Sequence, residues 1–249
     1  MEFFEKLKKT FALESREFKY NFEAMRQLQD SLIRAVEKIK KEIDQNAYDV
    51  LLSDDAGGRL PTLALKDILT RRIEGTNPDL SPEKKRDALK ILFIAGGRFT
   101  ENNLALRKFF KEIKPNVKKR VLLVTEYISS GESIERLMKF LDEEDISYDI
   151  LAVMGDNSEK YYQELFKDHS ENHRLVVGDY KREEPKIYSA VTFGGVRKPY
   201  MHHTAHSRAL SKLKDPKIPE EKLKEDMEKA REDTHVLAQA VLKKVWGEK

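Results

Sequence analysis

Five short apolar runs recur along the chain: "YDVLLS" (48–53), "ALKILFIA" (88–95), "RVLLV" (120–124), "YDILAVM" (148–154) and "HRLVVG" (173–178). Runs of this length without polar alternation suit strands covered on both faces. Parallel neighbours then need a crossover, usually a helix. The intervening segments supply it, because "PTLALKDILTRRI", "NLALRKFFKEI" and "IERLMKFLDEE" carry apolar residues at spacings of three and four. The expected fold class is therefore α/β, with a mostly parallel five-stranded sheet and helices on both faces.

The two ends of the chain differ from this core. From Phe18 the residues Phe22, Met25, Leu28, Leu32, Val36, Ile39 and Ile43 mark one face of a long N-terminal helix. At the other end, "IPEEKLKEDMEKAREDTHVLAQAVLKKVW" reads as a charged terminal helix. The division expected is an N-terminal helical segment (1–46), an α/β core (47–180) and a C-terminal cap with its helix (181–249), the tail closing over the sheet rim or meeting another subunit as a homo-oligomer contact.

Composition narrows the partners. Lys and Arg total 47 against 44 Asp and Glu, a net charge of +3, which describes a mixed-sign surface and argues against nucleic acid as the main partner. The absence of cysteine excludes disulfides, thiol nucleophiles and cysteine-ligated zinc. With no apolar run of membrane-spanning length and no secretory leader, the expectation is a cytoplasmic protein without a membrane partner.

Ligands of parallel sheets sit at the carboxyl ends of the strands, so loops starting at Ser53, Ala95, Thr125, Met154 and Gly178 are expected to share one rim. The loop "TEYISSGES" (125–133) has small hydroxylated residues and a glycine ahead of a helix. Such a loop turns backbone N–H groups and the positive end of a helix dipole toward an anion. Glu126 at its mouth suits sugar hydroxyls or hydrated Mg²⁺ on the same ligand. The alternative reading is an ordinary turn, with Ser130 or Ser133 capping the helix. No Walker A, GxGxxG, GxSxG or HExxH pattern occurs.

The stretch "VLLVTEYISSGES" resembles the phosphoribosyl pyrophosphate (PRPP) binding motif of type I phosphoribosyltransferases. Val121 to Val124 match its strand, Glu126 its second acid, and Ser130, Gly131 and Ser133 its phosphate-binding part, while Thr125 stands at the first acidic position. "LLSDDAGGRLPTLAL" resembles the family's pyrophosphate loop, and the order and spacing of the two also match. The resemblance covers about residues 48–180 and implies a transferase of nucleotide metabolism using PRPP or a nucleoside monophosphate, Mg²⁺ and a nitrogenous base. By position, Ser129, Ser130, Gly131, Glu132 and Ser133 would hold the 5'-phosphate, and Ala56, Gly57, Gly58 and Arg59 the pyrophosphate. Glu126 would bind ribose hydroxyls and Arg98 neutralise leaving charge. Asp54 and Asp55 are candidates for the metal. A second reading of the same resemblance is an inactive nucleotide or PRPP sensor, or an assembly subunit.

The tail segment "RKPYMHHTAHSRAL" holds a further candidate. His202 and His206, with His203 between them, are four apart as a metal pair would be, although solvated or core histidines are the commoner outcome. Phe193 or Tyr200 is a candidate to stack on a base.

Overall fold

The computed structural model describes residues 18–54, 58–76, 78–79, 81, 88–94, 104–167, 169, 173–180 and 220–248. The apolar runs become β1 (Tyr48–Asp54), β2 (Lys90–Ile94), β3 (Arg120–Ile128), β4 (Tyr148–Gly155) and β5 (Leu175–Tyr180), one parallel sheet in the order β2-β1-β3-β4-β5. All eight residues of β4 are buried, which explains why it is apolar apart from Asp149.

Each face of the sheet carries its own core. On one face, α1 (Glu23–Lys38) and α3 (Arg59–Thr76) bury Met25, Leu32, Val36, Leu65 and Ile68 against Leu122, Val124 and Leu151. The other face receives α4 (Leu104–Ile113), α5 (Glu132–Glu143) and α6 (Glu159–Leu165), with Phe110, Leu137 and Tyr162 packed on Val121, Leu123 and Ile150. The C-terminal helix α7 (Glu220–Trp246) lies on α1 and α3. The expected α/β class holds, with helices on both faces.

The N-terminal helix differs from its periodicity. It begins at Glu23 and stops at Ile39 (φ −112°, ψ 14°), after which the short α2 (Lys40–Asp44) follows. Ile39 and Ile43 stay buried across the break, so core contact is kept while the helix bends. Phe22 stands at the N-cap with no capping side chain of its own. Asp233 of α7 substitutes for one, accepting the N–H groups of Asn21 at 2.8 Å and Phe22 at 2.9 Å. At the other end of the helical pair, Trp246 Nε1 donates to Asp44 at 2.8 Å and Arg72 joins Asp44 and Glu248.

Gly178 is expected to open a loop. Instead it lies inside β5, where a Cβ would meet the Ser31 carbonyl oxygen at 2.1 Å and that of Val153 at 2.6 Å. The missing side chain lets α1 press onto this edge strand. Lys38 Nζ then reaches Val177 O at 2.7 Å and Arg34 Nη2 reaches Asp179 at 2.6 Å, so α1 covers part of an edge otherwise open to pairing.

At the amino ends of the strands, buried Asp149 accepts from Tyr48 Oη and Arg120 Nη2, both at 2.8 Å, and from Arg174 N at 3.0 Å. Burial, with Asp149 beside it, pushes the Tyr48 hydroxyl pKa well up. These three bonds tie β1, β3 and β5 to β4 at the end opposite the rim.

Candidate functional site

The strand order reverses between β1 and β3. From β1 the chain crosses through α3 to β2 on one side, then returns past β1 to β3 on the other. A doubly wound sheet opens its ligand crevice at such a switch point, outside the carboxyl ends of the two strands. The loops singled out in the sequence follow these two strands. Of their residues, Asp54 closes β1, Gly58 precedes α3 and Arg59 opens it, while Asp55, Ala56 and Gly57 lie outside the described residues. Arg98 and the tail residues Phe193, Tyr200, His202, His203 and His206 also lie outside them.

β3 is longer than its apolar run. Thr125 pairs alongside Ala152, Tyr127 alongside Met154 and Ile128 alongside Gly155. The loop is thus only Ser129 to Gly131, and neither Thr125 nor Glu126 belongs to it. Both are buried in the strand, at 1% and 2% exposure, and the Thr125 hydroxyl donates to Tyr127 O at 3.3 Å. A carboxylate at Glu126's depth has a strong demand for donors or a cation.

A residue overlooked in the sequence organises the short loop. Asp156, directly after β4, accepts from Ser129 Oγ at 2.6 Å, Asn157 Nδ2 at 2.6 Å and Tyr162 Oη at 2.9 Å. Burial alone would raise its carboxyl pKa, but the bonds from Ser129, Tyr162 and Asn157 hold it below the ordinary value. Tyr162 is fully buried on α6; its Oη lies 2.5 Å from Ile128 O as well, so its one proton is shared between that carbonyl and Asp156, and it receives the Asn157 N–H at 3.3 Å. Burial, then the bond to Asp156, pushes its hydroxyl up to about 12. The bonds that cross to Ser129 and Ile128 join residues 27 and 34 apart in the chain, and only the polar run "GDNS" after β4 hinted at them.

Gly131 has a packing reason for being glycine. Its φ is +81°, and a Cβ would lie 2.5 Å from Leu165 Cδ2 and 3.1 Å from Phe166 Cζ. The N-terminus of α5 that follows carries its own negative charge, Glu132 and Glu135 both falling in the first turn. Glu132 is exposed and pairs with Arg136 at 3.2 Å; Ser130 Oγ accepts the Glu132 N–H at 3.5 Å; Ser133 is half-buried in the same turn. Two acids partly answer the helix dipole here.

The N-terminus of α3 is built the other way. It has no acid in its first turn, and Arg59 is its first residue. A cation there opposes the dipole, so both charges favour an incoming anion. The Arg59 guanidinium sits 4.1 Å from the centroid of the Phe93 ring on β2, which holds it at the rim. Thr62 in the same turn is fully buried, and its Oγ1 finds no hydrogen-bond partner among the described residues.

Among the described residues no group of three His, Cys, Asp or Glu side chains converges to hold a metal. Two open cavities of about 450 and 510 Å³ lie along α6 to the start of β5 and around Arg120, Asp149 and Arg174, away from the switch point. No described helix is long and apolar enough to cross a membrane. No protein-family model, no curated protein and no solved structure matches the chain.

Proposed function

We propose that this chain is a phosphoribosyltransferase-like protein that binds PRPP with Mg²⁺ between the ends of β1 and β3 and transfers ribose 5-phosphate to a nitrogenous base. The observation that carries the reading is the strand order, in which β1 and β3, the strands that precede the two loops of the sequence resemblance, are neighbours at the switch point. Arg59 at the acid-free start of α3 suits the pyrophosphate, and Glu126, buried at the end of β3, suits the ribose hydroxyls.

Departure of pyrophosphate leaves positive charge on the sugar ring, so the protein need supply no nucleophile. Its work is to align the base with C1, stabilise the leaving charge and keep water out. Arg59 and the first amides of α3 would meet the leaving oxygens. Ser130 and Ser133 would donate to the 5'-phosphate. Magnesium bound mainly by the ligand's own oxygens needs only one or two protein carboxylates, a set that Glu126 fits, and it supplies further charge neutralisation.

Thr125 favours a second reading, binding without turnover, because its buried hydroxyl is turned to Tyr127 O and brings no charge to the site. Calorimetric titration with PRPP in the presence and absence of Mg²⁺ tests both. Binding followed by pyrophosphate release with one of a panel of bases supports the enzyme, and binding without release supports the second reading. Absence of binding refutes both.

A further inference from the structure

Ser129 and Asp156 fix which way hydrogen bonds run at the β3 loop. An ionised carboxylate only accepts, so the single hydroxyl proton of Ser129 is committed to Asp156 Oδ2 at 2.6 Å. The lone pairs of Ser129 then face outward. Asp156 is pinned in this role, because its Oδ1 receives Asn157 Nδ2 at 2.6 Å and a share of the Tyr162 proton, whose Oη stands 2.9 Å away and 2.5 Å from Ile128 O, while its own N–H donates to Ile128 O at 3.2 Å. Ser130 has the opposite polarity: its oxygen accepts from the Glu132 N–H, leaving its proton to donate.

We infer that Asp156 is a specificity-determining positioning residue, making Ser129 an acceptor for a donor group of the ligand's base, such as a ring N–H or an exocyclic amine. A phosphate oxygen is an acceptor itself and is met by Ser130 instead. Ser129 therefore leaves the 5'-phosphate set in which the sequence puts it. The identity of the ligand rests on the function proposed above; the polarity does not.

The test uses inorganic phosphate as probe, titrated into the full chain while the backbone amide signals of Ser129 to Ser133 are followed by NMR. Asp156→Asn should place its amide donor on Ser129 Oγ and turn the serine proton outward. It should tighten phosphate binding at these amides by about fivefold, the worth of one hydrogen bond. In a Ser129→Ala background the same substitution should give a much smaller gain. An equal gain in both backgrounds would mean that lost charge alone acts, and it overturns the inference, as does no gain at all.

Ser129→Ala alone gives an answer even if the Asp156→Asn protein fails to fold. It should leave phosphate and PRPP–Mg²⁺ affinity within about twofold while weakening nucleoside monophosphates about fivefold or more; a comparable loss for phosphate overturns the inference. If the unaltered protein fails to bind PRPP, the proposed function falls while the phosphate titrations still decide the polarity.

Discussion

Replacing Gly131 and Gly75 by alanine is one chemical change placed in two environments, and the expected signs are opposite. At Gly131 the backbone has φ +81°, where a non-glycine residue costs about 1–2 kcal/mol. The new Cβ would also stand 2.5 Å from Leu165 Cδ2 and 3.1 Å from Phe166 Cζ. Leu165 ends in a methyl that can turn, but the Phe166 ring is 1% exposed and has nowhere to go. Overpacking of this kind adds about 1–3 kcal/mol, so Gly131→Ala should lose about 2–5 kcal/mol. At about 2–4 °C per kcal/mol for a chain of this size, Tm should fall by roughly 4–20 °C. Gly75 lies within α3 with no heavy atom within 4 Å of a new Cβ and no positive φ. Alanine there should stabilise by about 0.5–1 kcal/mol through lower unfolded-state entropy. Urea titration of both variants decides it, together with Gly131→Ala/Leu165→Ala, which should cost less than the two single changes added. A Gly131→Ala protein within about 0.5 kcal/mol of the parent would refute the packing account of the loop.

Asp233→Ala removes the acceptor shared by the Asn21 and Phe22 N–H groups and should destabilise by about 1–3 kcal/mol in urea titration. Burial outweighs those two bonds and raises the Asp233 pKa. Its contribution is therefore full below the ordinary carboxylate pKa of about 3.9 and is lost as pH rises through the raised value. The gap between parent and variant should be widest in acid. Asp156 behaves in the opposite sense: hydrogen bonds from Ser129, Tyr162 and Asn157 outweigh its burial and lower its pKa. What Asp156 contributes is present above the ordinary carboxylate value and vanishes as pH falls through the lowered one, so an Asp156→Ala gap should close in acid. Glu126→Ala should reduce PRPP–Mg²⁺ affinity at least tenfold by calorimetry, since a buried charged hydrogen-bonding group is worth about 1.5–3 kcal/mol; unchanged affinity would remove Glu126 from the site.

The fold was legible because strands buried on both faces must be apolar and the covering helices must show a stripe, and both patterns survive in one sequence. What the pattern conceals is how far a strand continues once its residues turn polar. Thr125 and Glu126 look like loop residues, yet backbone pairing to β4 keeps them in the sheet. Glycines mislead for a related reason. Gly178 reads as a loop residue yet lies in β5, required by backbone of α1 and β4, and Gly131, in the loop as expected, is required by the side chains of Leu165 and Phe166, far along the chain. Long-range polar partners leave still less trace. Asp233 caps a helix 211 residues away, and Asp156 and Tyr162 gather around Ser129 through bonds that no local pattern encodes. The two loops were paired in the sequence by the resemblance alone; the reversal of strand order that sets β1 beside β3 leaves no trace in periodicity.

The central claim, a PRPP–Mg²⁺ ligand at the β1–β3 switch point, is tested most directly by amide NMR of the full chain during titration with PRPP and Mg²⁺. The account predicts concerted shifts at Gly58 and Arg59 on one loop and at Ser129 to Ser133 on the other, lost when Mg²⁺ is chelated and lost in Glu126→Ala. Shifts confined to one loop, shifts around the α6–β5 cavity instead, or no shifts at all would contradict it.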